Sequence, residues 1–261
     1  MGIRVEALAG AAEVDAGNEA TPSASLIVID RAERRNALDV EHCQLLGTAV
    51  EASVAQGDRA IVLTGDGTSF CSGADFDAVA SPDFRDALYA MLGTITAAPV
   101  PVVAAINGHA IGAGLQLAIA TDLRIAAGTA TFGVPTARLG LAVDPWTIER
   151  LVAVAGGGVA RRLLLTCTSI ATAEALVAGL VDRVGTVDDA IALALDLATM
   201  APLTLRYIKH AIDSIDSGAT AGMMANDASV VAAFEACWSS EDLREGLAAR
   251  IDKRPARFEG R

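Results

Sequence analysis

Two glycine-rich stretches carry the residues best suited to chemistry: Ser69-Phe70-Cys71-Ser72-Gly73-Ala74-Asp75 and Asn107-Gly108-His109-Ala110-Ile111-Gly112-Ala113-Gly114. Each follows a short apolar run and reads as leading into a helix, which leaves backbone N–H groups without intrahelical acceptors. Such donors attract negative charge. Two of them aimed at one carbonyl oxygen form an oxyanion hole. A thioester carbonyl, which gains negative character as it enolises, is a group such a hole suits. The glycines let a ligand lie directly on main chain.

Other chemistries do not fit. A dinucleotide site needs GxGxxG where a strand turns into a helix, and Gly112-Ala113-Gly114-Leu115-Gln116-Leu117 lacks the third glycine. No Gly-Lys-Ser, Gly-Lys-Thr or GxSxG occurs, which removes a P-loop and a serine-hydrolase elbow. Cys43, Cys71, Cys167 and Cys237 form no CxxC pair and have no histidine at ligand spacing, so they read as free thiols rather than zinc ligands or disulfides. His42 and His210 fall in helical patterns as packing or surface residues. His109 lies inside the second turn but has no carboxylate beside it in sequence.

The elements that must position these turns alternate. Apolar, β-branched runs at Ser25 to Asp30, Ala60 to Thr64 and Pro101 to Ile106 predict strands, with further strands at Leu123 to Ala126 and Leu180 to Val184. Asp39 to Gln56 reads as a helix capped by Asp39, with Val40, Cys43, Leu46, Val50 and Val54 on one face. Asp15 to Ser23 reads as a hairpin loop between two opening strands, and Gly156-Gly157-Gly158 as a break between helices. Helical periodicity dominates from Asp188, with Pro202 opening one helix and Ser239-Ser240-Glu241-Asp242 starting the last.

The 261 residues suit one α/β core with a helical appendage. A net charge of −12 disfavours nucleic acid, so an anionic ligand needs local cations, which occur at Arg31, Arg34 and Arg35 and at Lys253, Arg254, Arg257 and Arg261. The hydrophobic share is 52% against 20% charged, yet no apolar run is long enough for a membrane span, so the surplus apolar surface points to subunit contacts. Arg4 and Glu6 interrupt the N-terminal segment and no secretory core follows, which reads as a cytoplasmic protein.

Five ordered stretches resemble the enoyl-CoA hydratase/isomerase, or crotonase, superfamily, from about Ser25 to the C-terminus. They are Arg31 to Leu38; Ile61 to Gly65 leading to Phe70-Cys71-Ser72-Gly73-Ala74-Asp75; Ala105 to Leu117; Ala118 to Ala126; and Lys253 to Phe258. The resemblance implies an α/β fold: a spiral of ββα turns binding acyl-CoA over residues 1–200, and a C-terminal helical trimerisation region over 201–261. It further implies homotrimers or dimers of trimers, working alongside other fatty-acid-synthesis enzymes. Ala74 and Ala113 would supply the hole's N–H groups. Ala37 and Leu38 would lie along the nucleotide, and Arg34 and Lys253 would meet its phosphates. Ser72, Gly73, Asp75, Phe76, Gly112, Gly114, Gln116, Thr136 and Trp146 would line the rest of the substrate site. Coenzyme A arrives with the ligand, and neither a separate cofactor nor a metal is expected.

The chain departs from the family at the reacting carbons. Family hydratases use two glutamates to activate water and move a proton, and those positions here correspond to Gln116 and Thr136. Neither side chain titrates usefully near neutral pH, which disfavours hydration. Asp144 stands where isomerases of the family carry an aspartate and is the one candidate acid/base. It is followed by Pro145, however, as in an ordinary helix start with Asp as N-cap. Pro145-Trp146-Thr147 replaces small, glycine-rich sequence and predicts a bulkier, more apolar acyl wall.

Overall fold

A computed structural model describes residues 2–9, 23–216 and 218–261. β1 (Gly2–Ala9) and β2 (Ser23–Asp30) form an antiparallel ladder with Gly2 opposite Asp30 and Ala9 opposite Ser23. The loop expected over Asp15 to Ser23 lies outside the described residues, apart from Ser23 itself. α1 (Val40–Ala55) follows, and Asp39 caps it by accepting the His42 N–H at 2.9 Å.

From there each turn of the chain lays one strand in each of two sheets and then adds a helix. β3 (Ala60–Gly65) and β4 (Ser69–Cys71) precede α2 (Pro82–Ala97), and β5 (Val102–Ile106) and β6 (His109–Ile111) precede α3 (Ala113–Ala120). β7 (Leu123–Ala126) and β8 (Thr131–Gly133) precede α4 (Pro145–Arg161). After β9 (Ile170–Ala171), α5 (Thr172–Val177) and β10 (Arg183–Val184), the larger sheet has order β1-β2-β3-β5-β7-β10 and the smaller β4-β6-β8-β9. This is the expected ββα spiral, although no internal repeat is visible in the sequence. A spiral turn requires apolar strands and a helix, not recurring residues.

The inner strands read as unbroken apolar runs because both faces of the larger sheet are covered. All six residues of β3 are buried. One face meets α1, α2 and α3 in a core that includes Leu46, Met91, Ile95 and Phe70. The other meets α6 (Val187–Ala198), whose Ala190, Ala194 and Ala198 recur at one-turn spacing and pack with Ala24, Val62, Val103 and Ala105. The strand expected over Leu180 to Val184 shortens to Arg183–Val184, because the Leu180 carbonyl accepts the buried Arg124 guanidinium (2.8 Å) rather than a strand neighbour. Gly156 interrupts α4 at φ 75°, the break its glycines predict.

The chain bends by 113° between α6 and α7 (Pro202–Asp216) and continues through α8 (Ala221–Met224), α9 (Ala228–Ser239) and α10 (Glu241–Asp252). α7 buries none of its residues, and Ile208, Ile212, Trp238, Leu247 and Ile251 remain exposed, with Tyr207, Phe234, Trp238 and Phe258 around a groove of about 430 Å³. Polar ties join this region to the spiral. Lys209 Nζ lies 2.7 Å from Asp122 Oδ2, and Arg150 on α4 donates to the Ile119 carbonyl (3.0 Å) and pairs with Asp213 and Asp216 of α7. Among the described residues, no single helix is long and apolar enough to cross a membrane.

Candidate functional site

The two glycine turns meet because β4 and β6 are parallel neighbours, with Ser69 opposite His109 and Cys71 opposite Ala110. Gly73 adopts φ 113°, and a Cβ there would lie 2.9 Å from the Ile111 carbonyl oxygen and 3.8 Å from the Ala113 nitrogen. A Cβ on Gly114 would overlap the Cys71 carbonyl oxygen. Side chains at either position would force the turns apart.

Ala113 is the first residue of α3, so its N–H has no intrahelical acceptor. Ala74 reaches the same condition differently. The chain does not enter a helix after Asp75; Asp75 Oδ1 accepts the Asp77 N–H (3.2 Å), and α2 starts only at Pro82. Ala74 instead bridges Leu38 in a parallel pair, held by Leu38 N–H to Gly73 O (2.8 Å) and Asp75 N–H to Leu38 O (2.7 Å). That pattern spends the groups flanking Ala74 and turns its own N–H to the opposite side. Among the described residues neither the Ala74 nor the Ala113 N–H finds an acceptor. Two adjoining turns thus each present one unspent backbone donor.

The side chain of Gln116, one turn into α3, joins a closed polar triangle. Its Nε2 donates to Asp144 Oδ2 (3.0 Å) and Thr147 Oγ1 (2.7 Å), while Thr147 Oγ1 donates to Asp144 Oδ2 (2.6 Å). Asp144 is also the N-cap of α4, accepting the Thr147 N–H at 3.0 Å. Burial and the nearby Asp144 charge together lift the Tyr89 hydroxyl of α2 above its ordinary range, with Arg85 opposing. Thr147, third residue of a capped helix, reads from sequence as part of the apolar acyl wall, but its hydroxyl is spent in this polar triangle; the Asp-Pro-Trp-Thr run is the signal that points to it. Tyr89 has no such signal.

Thr136 is half-buried in the 3₁₀ turn Pro135–Leu139, three residues beyond Gly133, whose carbonyl accepts the Gly112 N–H (2.8 Å). Trp146 is half-buried against the main core. Ser72 is tied by its N–H to the Arg35 carbonyl (3.1 Å), and Phe76 is exposed. His109 turns toward Thr131 Oγ1 (2.6 Å) and is not in the triangle.

The basic side differs in detail from the sequence reading. Leu38 is fully buried and Ala37 nearly so, and their N–H and C=O groups are spent on Arg34, Arg31, Gly73 and Asp75, so they shape this edge rather than reach out from it. Arg31 is half-buried between Asp39 (3.2 Å) and Asp75 (2.9 Å). Burial lifts the Asp39 carboxyl, but its hydrogen bonds from His42 and the Arg31 charge outweigh this and hold it below its ordinary value. Arg34 is half exposed, 3.5 Å from Asp77 and 4.0 Å from the largely buried Asp75, which orients it. Arg254 is clamped by both Glu245 oxygens (2.6 and 2.8 Å), whereas Lys253, at the left-handed end of α10, makes no ion pair among the described residues. No cluster of potential metal ligands occurs among the described residues.

A ββα spiral whose stacked turns offer two backbone donors defines the class, and comparison supplies the family. Residues 19–261 match the Enoyl-CoA hydratase/isomerase family, and the chain belongs to it. It is 42% identical over 236 residues to a probable enoyl-CoA hydratase of Mycobacterium tuberculosis, covering 90% of this chain and 95% of that protein. It is 31% identical over 245 residues to the 2,3-dehydroadipyl-CoA hydratase of Escherichia coli, covering 90% and 95% respectively. The crystal structure of an enoyl-CoA hydratase from Bacillus anthracis superposes with TM-score 0.83 at 29% identity, covering 94% of this chain and 98% of that one.

Proposed function

We propose that this chain binds acyl- or enoyl-coenzyme A thioesters without hydrating them. The Ala74 and Ala113 N–H groups receive the thioester oxygen, and Arg34 and Lys253 meet the phosphates. One observation carries the reading: beside the free donors, where hydration needs titrating carboxyls, Gln116 stands with both amide hydrogens committed to Asp144 and Thr147. An amide in that state neither takes a proton from water nor delivers one to carbon. The protein then serves as an acyl-thioester carrier, delivering acyl groups to other enzymes of lipid metabolism in the cytoplasm. The exposed apolar residues of α7, α9 and α10 support assembly as trimers or paired trimers.

The test is a crotonyl-CoA hydration assay beside calorimetric titration with a long-chain acyl-CoA. Binding with no turnover is expected. Turnover on the order of 10 per second, abolished by Asp144→Asn or His109→Ala, overturns the carrier reading.

A second reading rests on Asp144 itself, a half-buried carboxylate one hydrogen bond from Gln116. As sole base it would carry a proton between C2 and C4 of a 3-enoyl thioester. Asp144→Asn then removes isomerisation and leaves binding intact; absence of isomerisation in the parent protein rejects this reading.

A further inference from the structure

We propose, resting on the thioester-binding reading above, that Arg31 is a positioning residue of the site: its guanidinium clips together the two halves of the Leu38–Ala74 bridge and so keeps the Ala74 N–H aimed at the thioester oxygen. The bridge needs support from outside. It is an isolated parallel pair with two hydrogen bonds, Leu38 N–H to Gly73 O (2.8 Å) and Asp75 N–H to Leu38 O (2.7 Å). On the Ala74 side β4 ends at Cys71 and α2 starts only at Pro82, so neither a ladder nor a helix extends the pair. Each hydrogen bond contributes about 1 kcal/mol on balance. Two of them alone hold the turn weakly.

Arg31 grips the residue next to each partner. Its Nη1 donates to the carbonyl of Ala37, just before Leu38, at 2.8 Å, and its Nη2 lies 2.9 Å from Oδ2 of Asp75, just after Ala74. Nη1 also lies 3.2 Å from Asp39 Oδ2, and Asp39 caps α1, so the clip is anchored to a core helix. The Arg31 backbone is itself fixed, because its N–H donates to Oδ1 of the fully buried Asn36 at 3.1 Å. Asp75 is only 8% exposed, which leaves its pairing with Arg31 little screened by solvent.

The neighbouring cation has a different part. Arg34 is half exposed and stands 4.0 Å from the same Asp75 oxygen, so it can turn to a phosphate while Arg31 keeps the carboxylate paired. Reaching Ala37, Asp39 and Asp75 together takes a planar fork with two nitrogens facing different acceptors. A lysine ammonium is a single point and cannot span them in the same way.

The test is isotope-edited infrared spectroscopy of hexanoyl-CoA, labelled at the C1 carbonyl, bound to the full-length protein, beside calorimetric titration. Donors aimed at the carbonyl oxygen polarise it, so the bound band should lie below the free one in the parent. Arg31→Met should move that band back toward the free position and weaken binding about tenfold. Asp75→Asn should act in the same sense, and the double variant should be no worse than Arg31→Met alone, because both substitutions remove one clip. Arg31→Lys keeps a cation between the carboxylates without the fork; it should also lose part of the band shift, and it decides the matter should Arg31→Met misfold. A lowered melting temperature with an unmoved carbonyl band, or losses that add in the double variant, overturns the assignment and leaves Arg31 a stabiliser of the fold alone. A parent whose bound carbonyl shows no shift rejects the thioester-binding reading and the proposal with it, a result distinct from a shifted parent that Arg31 variants leave unchanged.

Discussion

The Gln116 amide lies 3.0 Å from Asp144 Oδ2 although 28 residues separate them in sequence. This contact joins α3, which offers the Ala113 N–H, to the cap of α4, so the two free backbone donors and the polar triangle form one unit.

Replacing that amide by a carboxyl tests the contact. Gln116→Glu sets two carboxylates in hydrogen-bond range, where they cannot both ionise freely and come to share a proton. The folded state then binds protons more tightly than the unfolded chain, so ionisation opposes folding and the variant recovers stability as pH falls. Melting temperatures at pH 8 and pH 5 should show a larger deficit at pH 8, about 1–3 kcal/mol. A pH-independent deficit rules out the shared proton.

Gly73→Ala places a Cβ against the Ile111 carbonyl in a backbone at φ 113°. The strain costs about 1–3 kcal/mol and separates the two turns. Acyl-CoA affinity should fall more than tenfold while urea unfolding remains cooperative. Undiminished binding would remove the two turns from the site.

Arg150→Met removes the guanidinium that holds the Ile119 carbonyl and pairs with Asp213 and Asp216. Leaving buried partners unpaired costs about 3 kcal/mol. Burial holds the Asp213 carboxyl above its ordinary value even with Arg150 opposing that shift. A raised carboxyl destabilises when it ionises, so the loss in Arg150→Met should be greater at pH 8 than at pH 5. Chemical denaturation at both values gives the sign.

Burial pushes the Cys71 thiol up to about 12. Cys43 is likewise at about 12, through burial with added repulsion from Cys71 and Asp39. Both should resist a thiol reagent at pH 8 in the native protein, while the half-exposed Cys167 and Cys237 react. Native labelling followed by mass spectrometry would contradict this if Cys71 reacted first.

Much was legible in the sequence because it is local. The Asp39 and Asp144 caps, the breaks at Gly156 and Pro202 and the burial of apolar strands depend on residues a few positions apart. That Gln116 and Thr136 are not carboxylic acids is a matter of residue identity alone. What the tertiary structure decided is long-range. Ala74 frees its N–H not at a helix start but through a bridge to Leu38, and nothing near Ala74 encodes that partner. Likewise the amide of Gln116 could have faced solvent or ligand. Its hydrogen bonds to Asp144 and Thr147 exist because consecutive spiral turns stack α3 against the start of α4, a register set by packing of the whole core and invisible to any window of sequence.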